Sequence, residues 1–303
     1  MYDIIVIGGG MAGMTASLYA LRNNKKVLII ERESVGGQIA QSPKVENYPT
    51  KKSATGAELA DEVFEQITDL GVDFELEDVL SVEKNGDEFT VKTNYNEYKS
   101  KAVILATGVK HRTLGIEKEE NLIGKGVYYC AICDGPFFAG QEVTLIGDAN
   151  SAMQYALMLA GYCKKVNMFT LFDKFFGEKA LEDAIRKTPN IEITHNVQAV
   201  DFVGENQLEA IVFQNKDGSR FEHKTNALFV AIGQIPDNQK YSNLVDIDKA
   251  GYIVANEDCA TRTAGLFVAG DCRTKEVRQV ATAVADGAIA ATKACKYLST
   301  LEG

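Results

Sequence analysis

Residues 3–14 read DIIVIGGGMAGM. Asp3 to Ile7 form a short β-branched run, as a buried parallel strand requires. Gly8, Gly10 and Gly13 then stand at the spacing G-x-G-x-x-G, and a helical pattern runs from Met14 to Arg22. Lys26 to Ile30 (KVLII) read as a second strand, and Glu31 closes it. A glycine fingerprint between a strand and a helix, with an acid after the next strand, marks a dinucleotide-binding fold. Each residue has a separate task there. Gly8 makes the tight turn, Gly10 lets backbone approach a pyrophosphate, and Gly13 lets helix and strand pack closely. Glu31 is placed to accept hydrogen bonds from a ribose, and the helix N-terminus favours the anionic phosphates.

The chain has 303 residues and a formal net charge of -10, enough for about two domains with sizeable cores. The acidic balance argues against nucleic acid and anionic membrane as partners. No apolar run reaches the roughly 20 residues of a membrane helix. The N-terminus lacks a basic leader and enters a strand at once, so a cytoplasmic protein is expected. Six cysteines in a chain this long do not make a disulfide scaffold.

Two further stretches extend the first fold. Val103 to Gly108 (VILATG) is an apolar strand that ends in a small-residue turn. Gly265 to Asp271 (GLFVAGD) is another, ending in an acid, and Arg278-Gln279-Val280 opens a helical run to Leu298. Between them lies VYYCAICDG, residues 127–135, with Cys130 and Cys133 as C-x-x-C. One such pair is also half of a zinc site. The other cysteines are isolated, and the three histidines offer no second ligand pair, so no metal is assigned. A redox pair fits better: two intervening residues allow a small disulfide loop, and this spacing lowers a thiol pKa. Asp134, beside the second cysteine, is a candidate proton carrier. Its other reading is turn chemistry ahead of Gly135.

The set resembles the flavoprotein disulfide reductases, and C-A-x-C-D-G between two nucleotide-type folds resembles their low-molecular-weight thioredoxin reductase branch. Gly36-Gly37-Gln38, Val45-Glu46-Asn47-Tyr48-Pro49, Ala106-Thr107-Gly108 and Gly270-Asp271 follow the same order. The resemblance implies an α/β architecture of two Rossmann-like, three-layer ββα domains, the second inserted in the first. Residues 1–112 and 236–303 would form the FAD-binding domain, and 113–235 the inserted one. It implies FAD held by Gly8, Gly10, Gly13, Glu31, Gln38, Asn47, Val79, Thr107, Gly108, Asp271, Arg278, Gln279 and Val280. The last helix would point its N-terminus at the flavin, where negative charge gathers on reduction. Cys133 would be the thiol nearer the flavin, and Cys130 the one that attacks thioredoxin. A homodimer is implied as well.

The second turn departs from the family. Leu145 to Ala152 read LIGDANSA, where the family carries a glycine-rich turn. The following strand, KVNMFT with LFDKFF after it, puts Thr170, Leu171 and Phe172 where the family has His-Arg-Arg, and Phe176 near a later arginine. Asp148 adds negative charge, Ala149 adds a methyl group, and no guanidinium remains for a 2′-phosphate. Losing two or three charged hydrogen bonds costs roughly 4 kcal/mol, about a thousandfold in affinity. This pattern resembles the ferredoxin-linked, pyridine-nucleotide-independent flavin thioredoxin reductases, which implies reduced ferredoxin as donor. The transfer is downhill, from about -400 mV for plant-type clusters to about -270 mV for thioredoxin. Lys51-Lys52, Lys110-His111-Arg112 and Lys164-Lys165 are candidate docking patches or ordinary solvated clusters. Two alternatives stay open: an NADPH enzyme whose clamp uses Lys174 or Arg186, and a non-catalytic flavin redox sensor.

Overall fold

The expected first fold opens the computed structural model, which describes residues 1–42 and 44–301. The last two positions of the FAD-domain assignment, 302 and 303, lie outside the described residues. The chain divides into two compact units, Met1–Lys110 with Ile235–Gly303, and His111–Gln234.

In the first unit, β1 (Tyr2–Ile7) buries its last four residues, and Gly8 follows at φ +111°. A residue with a Cβ would be strained there and would strike the Ala106 carbonyl. Helix α1 (Met11–Arg22) starts at Met11 rather than Met14, capped by Gly10 in extended backbone. Apolar periodicity did not reach into a first turn flanked by glycines. After β2 (Val27–Glu31) comes α2 (Gly56–Asp69), opened by a capping box between Thr55 and Glu58. Then follow β3 (Asp73–Leu76), β4 (Val79–Asn85), β5 (Glu88–Thr93) and β6 (Glu97–Leu105).

The chain leaves this unit at β7 (Lys110–His111). The second unit contains β8 (Val127–Tyr128), the short α3 (Ala131–Asp134), β9 (Glu142–Ile146), α4 (Asn150–Ala160), β10 (Lys165–Phe169), α5 (Lys179–Lys187) and β11 (Ile191–Thr194). An antiparallel layer, β12 (Val197–Val203), β13 (Ala210–Asn215) and β14 (Arg220–Lys224), precedes β15 (Leu228–Val230). The chain returns through β16 (Gln234–Ile235) and ends with β17 (Leu266–Val268) and α6 (Val280–Leu301).

The first unit's sheet runs β3-β2-β1-β6-β5-β4, with β17 also on β6. Strands β3, β2, β1, β6 and β17 are parallel, whereas β4, β5 and the start of β6 are antiparallel. The second unit's parallel sheet runs β11-β10-β9-β15-β8. Both are Rossmann-like α/β folds. Ile4, Ile5 and Val6 are wholly buried, each contributing about 1.5–3 kcal/mol of apolar burial. Helices α1 and α6 lie on one face and share a core with Met14, Ala16, Ala290 and Ala294. A Cβ on Gly287 would strike the Ala12 carbonyl, so glycine permits that close crossing.

Candidate active site and nucleotide sites

In the second unit, Cys130 and Cys133 are joined in a disulfide, with Cα atoms 5.3 Å apart. Cys130 caps α3: its Sγ accepts the Cys133 N–H at 3.2 Å, and its carbonyl accepts the Asp134 N–H at 3.0 Å. The backbone thus holds the pair with both cysteines half-buried. Asp134 is buried, and its Oδ1 has no hydrogen-bond partner among the described residues. Burial pushes its carboxyl up to about 7. The turn reading of Asp134 loses its support here. Gly135 has helical φ and ψ, and it is glycine because a side chain would strike the Tyr162 hydroxyl. That hydroxyl is itself buried and has no hydrogen-bond partner among the described residues. Among the described residues, no group of three or more His, Cys, Asp or Glu side chains could hold a metal ion.

The first unit carries the glycine cradle. A Cβ on Gly13 would strike the Gly8 carbonyl, so Gly13 serves helix–turn packing. A Cβ on Gly10 would meet nothing nearer than the Gly36 carbonyl at 3.8 Å. Space is left there for a ligand's phosphates. Glu31 Oε2 accepts the Gly9 N–H at 2.7 Å, and Oε1 accepts the Arg32 and Glu33 N–H groups at 2.8 and 2.9 Å. A small cleft opens beside it, lined among others by Gly8, Glu31, Val79, Thr107, Lys240 and Tyr241. Thr107 is held by Asn238, whose amide also donates to the Gly251 and Cys272 carbonyls at 2.9 Å. Asn238 and Lys240 carried no motif signal, because they come from the returning segment and reach the cleft only through the fold.

The remaining sequence candidates gather in the same unit. Gln38 donates to the Val109 carbonyl, and Asn47 Nδ2 donates to Gln279 Oε1 at 3.1 Å. Gly108 sits at φ +63°. The Arg278 guanidinium lies 4.1 Å from the centre of the Tyr252 ring and donates to the Asp271 carbonyl. Val280 is the first residue of α6, so Arg278 and Gln279 precede the helix rather than open it. Asp271 has a buried Oδ1 with no partner among the described residues. Burial raises its pKa, and Lys275 and Arg278 oppose the shift. An acceptor buried and unused in this way is chemically suited to a ligand hydroxyl. The open space at Gly10 and this acceptor both suit a flavin dinucleotide.

The second turn keeps the first one's form. Gly147 has φ +154°, Ala149 caps α4 in extended backbone, and the Phe176 N–H donates to the Asp148 carbonyl at 2.7 Å. Thr170 is fully buried, its hydroxyl bonded to the Phe172 carbonyl and to His195 Nδ1, each at 2.7 Å. Leu171, Phe172 and Phe176 are exposed. Arg186 pairs with Glu182 and faces Phe175. Lys174 lies 5.4 Å from the Phe176 ring centre, and Phe176 pairs with Ala149. A cation is therefore present on the loop bound to this turn. Four lysines of the candidate docking patches are ion-paired, Lys51 with Glu62, Lys110 with Glu33, Lys164 with Glu142 and Lys165 with Glu192, as in ordinary solvated clusters.

The family described as pyridine nucleotide-disulphide oxidoreductase matches residues 2–287. A 34.2 kDa protein in the rubredoxin operon of Clostridium pasteurianum is 38% identical over 298 residues, covering 98% of this chain and 97% of that protein. The thioredoxin reductase of Peptoclostridium acidaminophilum is 38% identical over 306 residues, with 98% and 97% covered. The crystal structure of thioredoxin reductase from Streptococcus pyogenes MGAS5005 superposes with a TM-score of 0.95 at 35% identity, covering 99% of each chain. These matches overturn the assignment to the ferredoxin-linked group, and with it ferredoxin as donor and partner. The physical reason lies in the second turn. Substituting its cations and glycines did not dismantle the fold that carries it, and the loop bound to the turn carries a cation, Lys174, at a position the motif does not include.

Proposed function

Since this chain belongs to the pyridine nucleotide-disulphide oxidoreductase family, we propose that it is an FAD-dependent thioredoxin-disulfide reductase drawing its electrons from NADPH. The observation that carries the reading is the Cys130–Cys133 disulfide beside the buried, unpartnered Asp134. A sensor needs a dithiol but has no need of a carboxyl held near neutrality.

FAD supplies a carrier that takes an electron pair and returns it to a disulfide. In this reading Gly8, Gly10 and Gly13 admit its pyrophosphate, and Glu31 holds a ribose. Val79 and Thr107 line the cleft for its nucleotide half, with Gly108 in the same turn as Thr107. Gln38, Asn47, Asp271, Arg278, Gln279 and Val280 orient its flavin half. The Cys130–Cys133 bond takes two electrons and two protons to become a dithiol. Asp134, with a pKa of about 7, gives and recovers a proton at the Cys133 sulfur. Cys130 thiolate then attacks a sulfur of the thioredoxin disulfide, and Cys133 resolves the mixed disulfide. That closes the intramolecular bond again and releases the thioredoxin dithiol. Asp148 and Ala149 narrow the nucleotide turn, and Lys174 supplies the charge for a phosphate.

No described helix is long and apolar enough to cross a membrane. The four free, buried cysteines and a partner kept reduced fit a cytoplasmic setting; a homodimer rests on the family resemblance alone. The function is tested by mixing oxidised protein anaerobically with NADPH, following flavin bleaching, and then adding oxidised thioredoxin. Bleaching followed by reoxidation with thioredoxin is expected. A flavin that stays oxidised under excess NADPH overturns the donor. A flavin that bleaches but is not reoxidised overturns the acceptor.

A further inference from the structure

Three charged side chains are buried together in the first unit, and the reaction as described uses none of them. Asp286, in α6, receives Arg273 on both oxygens, Nε to Oδ2 at 2.8 Å and Nη2 to Oδ1 at 2.8 Å. Lys275 Nζ also reaches Oδ2 at 2.8 Å. The Arg273 and Asp286 side chains are each 5% exposed, and that of Lys275 is 7% exposed. Two cations therefore share one carboxylate. Neighbouring Arg278 and Asp271 add one charge of each sign, and the further carboxylate that acts on Arg273, Glu257, is exposed to solvent, so within the buried set an excess positive charge persists. Burying an ion costs several kcal/mol, and a simple one-to-one pair would have served the fold better.

The cluster's place explains its sign. Asp286 Oδ2 also accepts the Gly270 N–H at 3.0 Å, so it sets the position of the Gly270–Asp271 turn. A Cβ on Gly270 would come within 2.8 Å of the Ala12 side chain in α1, and Gly287, next to Asp286, packs on the Ala12 carbonyl. The cluster is thus clamped between α6, the turn that bears the unpartnered Asp271 oxygen, and the first turn of the fingerprint helix. An uncompensated buried cation there is matched by a ligand whose negative charge grows during the reaction.

We propose that the Arg273–Asp286–Lys275 cluster is a positioning element for the flavin: it fixes the Gly270–Asp271 turn and holds one buried positive charge that favours the reduced cofactor. This rests on FAD occupying the first-unit cradle, so bound FAD is measured first. The two-electron midpoint potential is then read by equilibration with a reference dye, for the wild type, Lys275→Met and Lys275→Arg. Lys275→Met should retain FAD and lose about tenfold in the two-electron equilibrium constant, a fall of about 30 mV. Lys275→Arg should stay near the wild type. Lys275→Gln, which keeps a hydrogen bond to Asp286, must show the same fall if the methionine variant does not fold. Asp286→Ala, which leaves no acceptor for the Gly270 N–H, should weaken FAD binding at least tenfold, whereas Asp286→Asn, whose amide oxygen still accepts that bond, should lose less. An unchanged potential in Lys275→Met or Lys275→Gln, or an equal fall in Lys275→Arg, overturns the role of the charge. Unchanged FAD affinity in Asp286→Ala overturns the positioning role. Wild-type protein without FAD would instead refute the FAD reading and the cluster's role together.

Discussion

The Phe176 N–H donates to the Asp148 carbonyl at 2.7 Å, as the Gly36 N–H donates to the Gly9 carbonyl at 2.9 Å in the first fold. The parallel bridges Gly10 to Gly36 and Ala149 to Phe176 confirm the correspondence. In both folds the loop after the second strand is stitched to the glycine turn. Asp148 therefore stands where the first fold has Gly9, and Thr170 stands where it has Glu31. The second turn differs from the first in side chains and not in path.

Opposite effects at two positions should follow for NADPH. Asp148→Gly removes a carboxylate from the turn and should lower the NADPH KM several-fold. Lys174→Met removes the nearby ammonium and should raise it about tenfold, the size of one charged hydrogen bond. Steady-state thioredoxin reduction at varied NADPH measures both. Two unchanged KM values would place the nucleotide elsewhere.

The three fingerprint glycines should fail differently. Gly10→Ala should fold normally, because its methyl meets no protein atom nearer than 3.8 Å, yet lose tenfold or more in FAD affinity. Gly8→Ala combines a positive φ with a clash against the Ala106 carbonyl and should cost stability before binding is considered, on the order of 1–3 kcal/mol or more. Flavin fluorescence titration and thermal melting separate the two effects. Normal FAD affinity in Gly10→Ala would remove the pyrophosphate from this turn.

Cys130→Ser and Cys133→Ser should each abolish thioredoxin reduction while leaving FAD content intact, since the cradle lies in the other unit. Turnover above a hundredth of wild type in either variant would show that a single thiol suffices.

Asp134 should leave its mark on the pH profile. Burial raises its folded pKa to about 7 from the ordinary aspartate value of 3.8, so at pH 6 it is mostly protonated and at pH 8 mostly charged. Acting as an acid, it should give a rate that falls as pH rises through about 7. Asp134→Asn should flatten that limb and reduce turnover by about 10²–10⁴-fold. The linked stability has the same sign: the protonated form is the one compatible with burial, so its contribution is full below pH 3.8 and is lost as pH rises through about 7. A variant that keeps the wild-type limb would assign the titration to another group.

Local chemistry was enough to read the first fold. The turn of Gly8, Gly10 and Gly13, the acid at Glu31 and the C-x-x-C of Cys130 and Cys133 are short-range patterns, because strand, turn and helix geometry depend on neighbours in the chain. The same reading failed at the second turn, where it counted the charges at residues 148, 171 and 172 and concluded that the nucleotide was lost. Whether a turn survives its substitutions depends on backbone bonds between distant residues, such as Asp148 with Phe176, and on where a lysine such as Lys174 comes to rest. The long-range partners were equally hidden: Asn238 beneath Thr107, Tyr162 against Gly135, and Asp286 bridging Arg273, Lys275 and Gly270. Those contacts join residues far apart in sequence, and their energies depend on burial, which a linear pattern of residues does not contain.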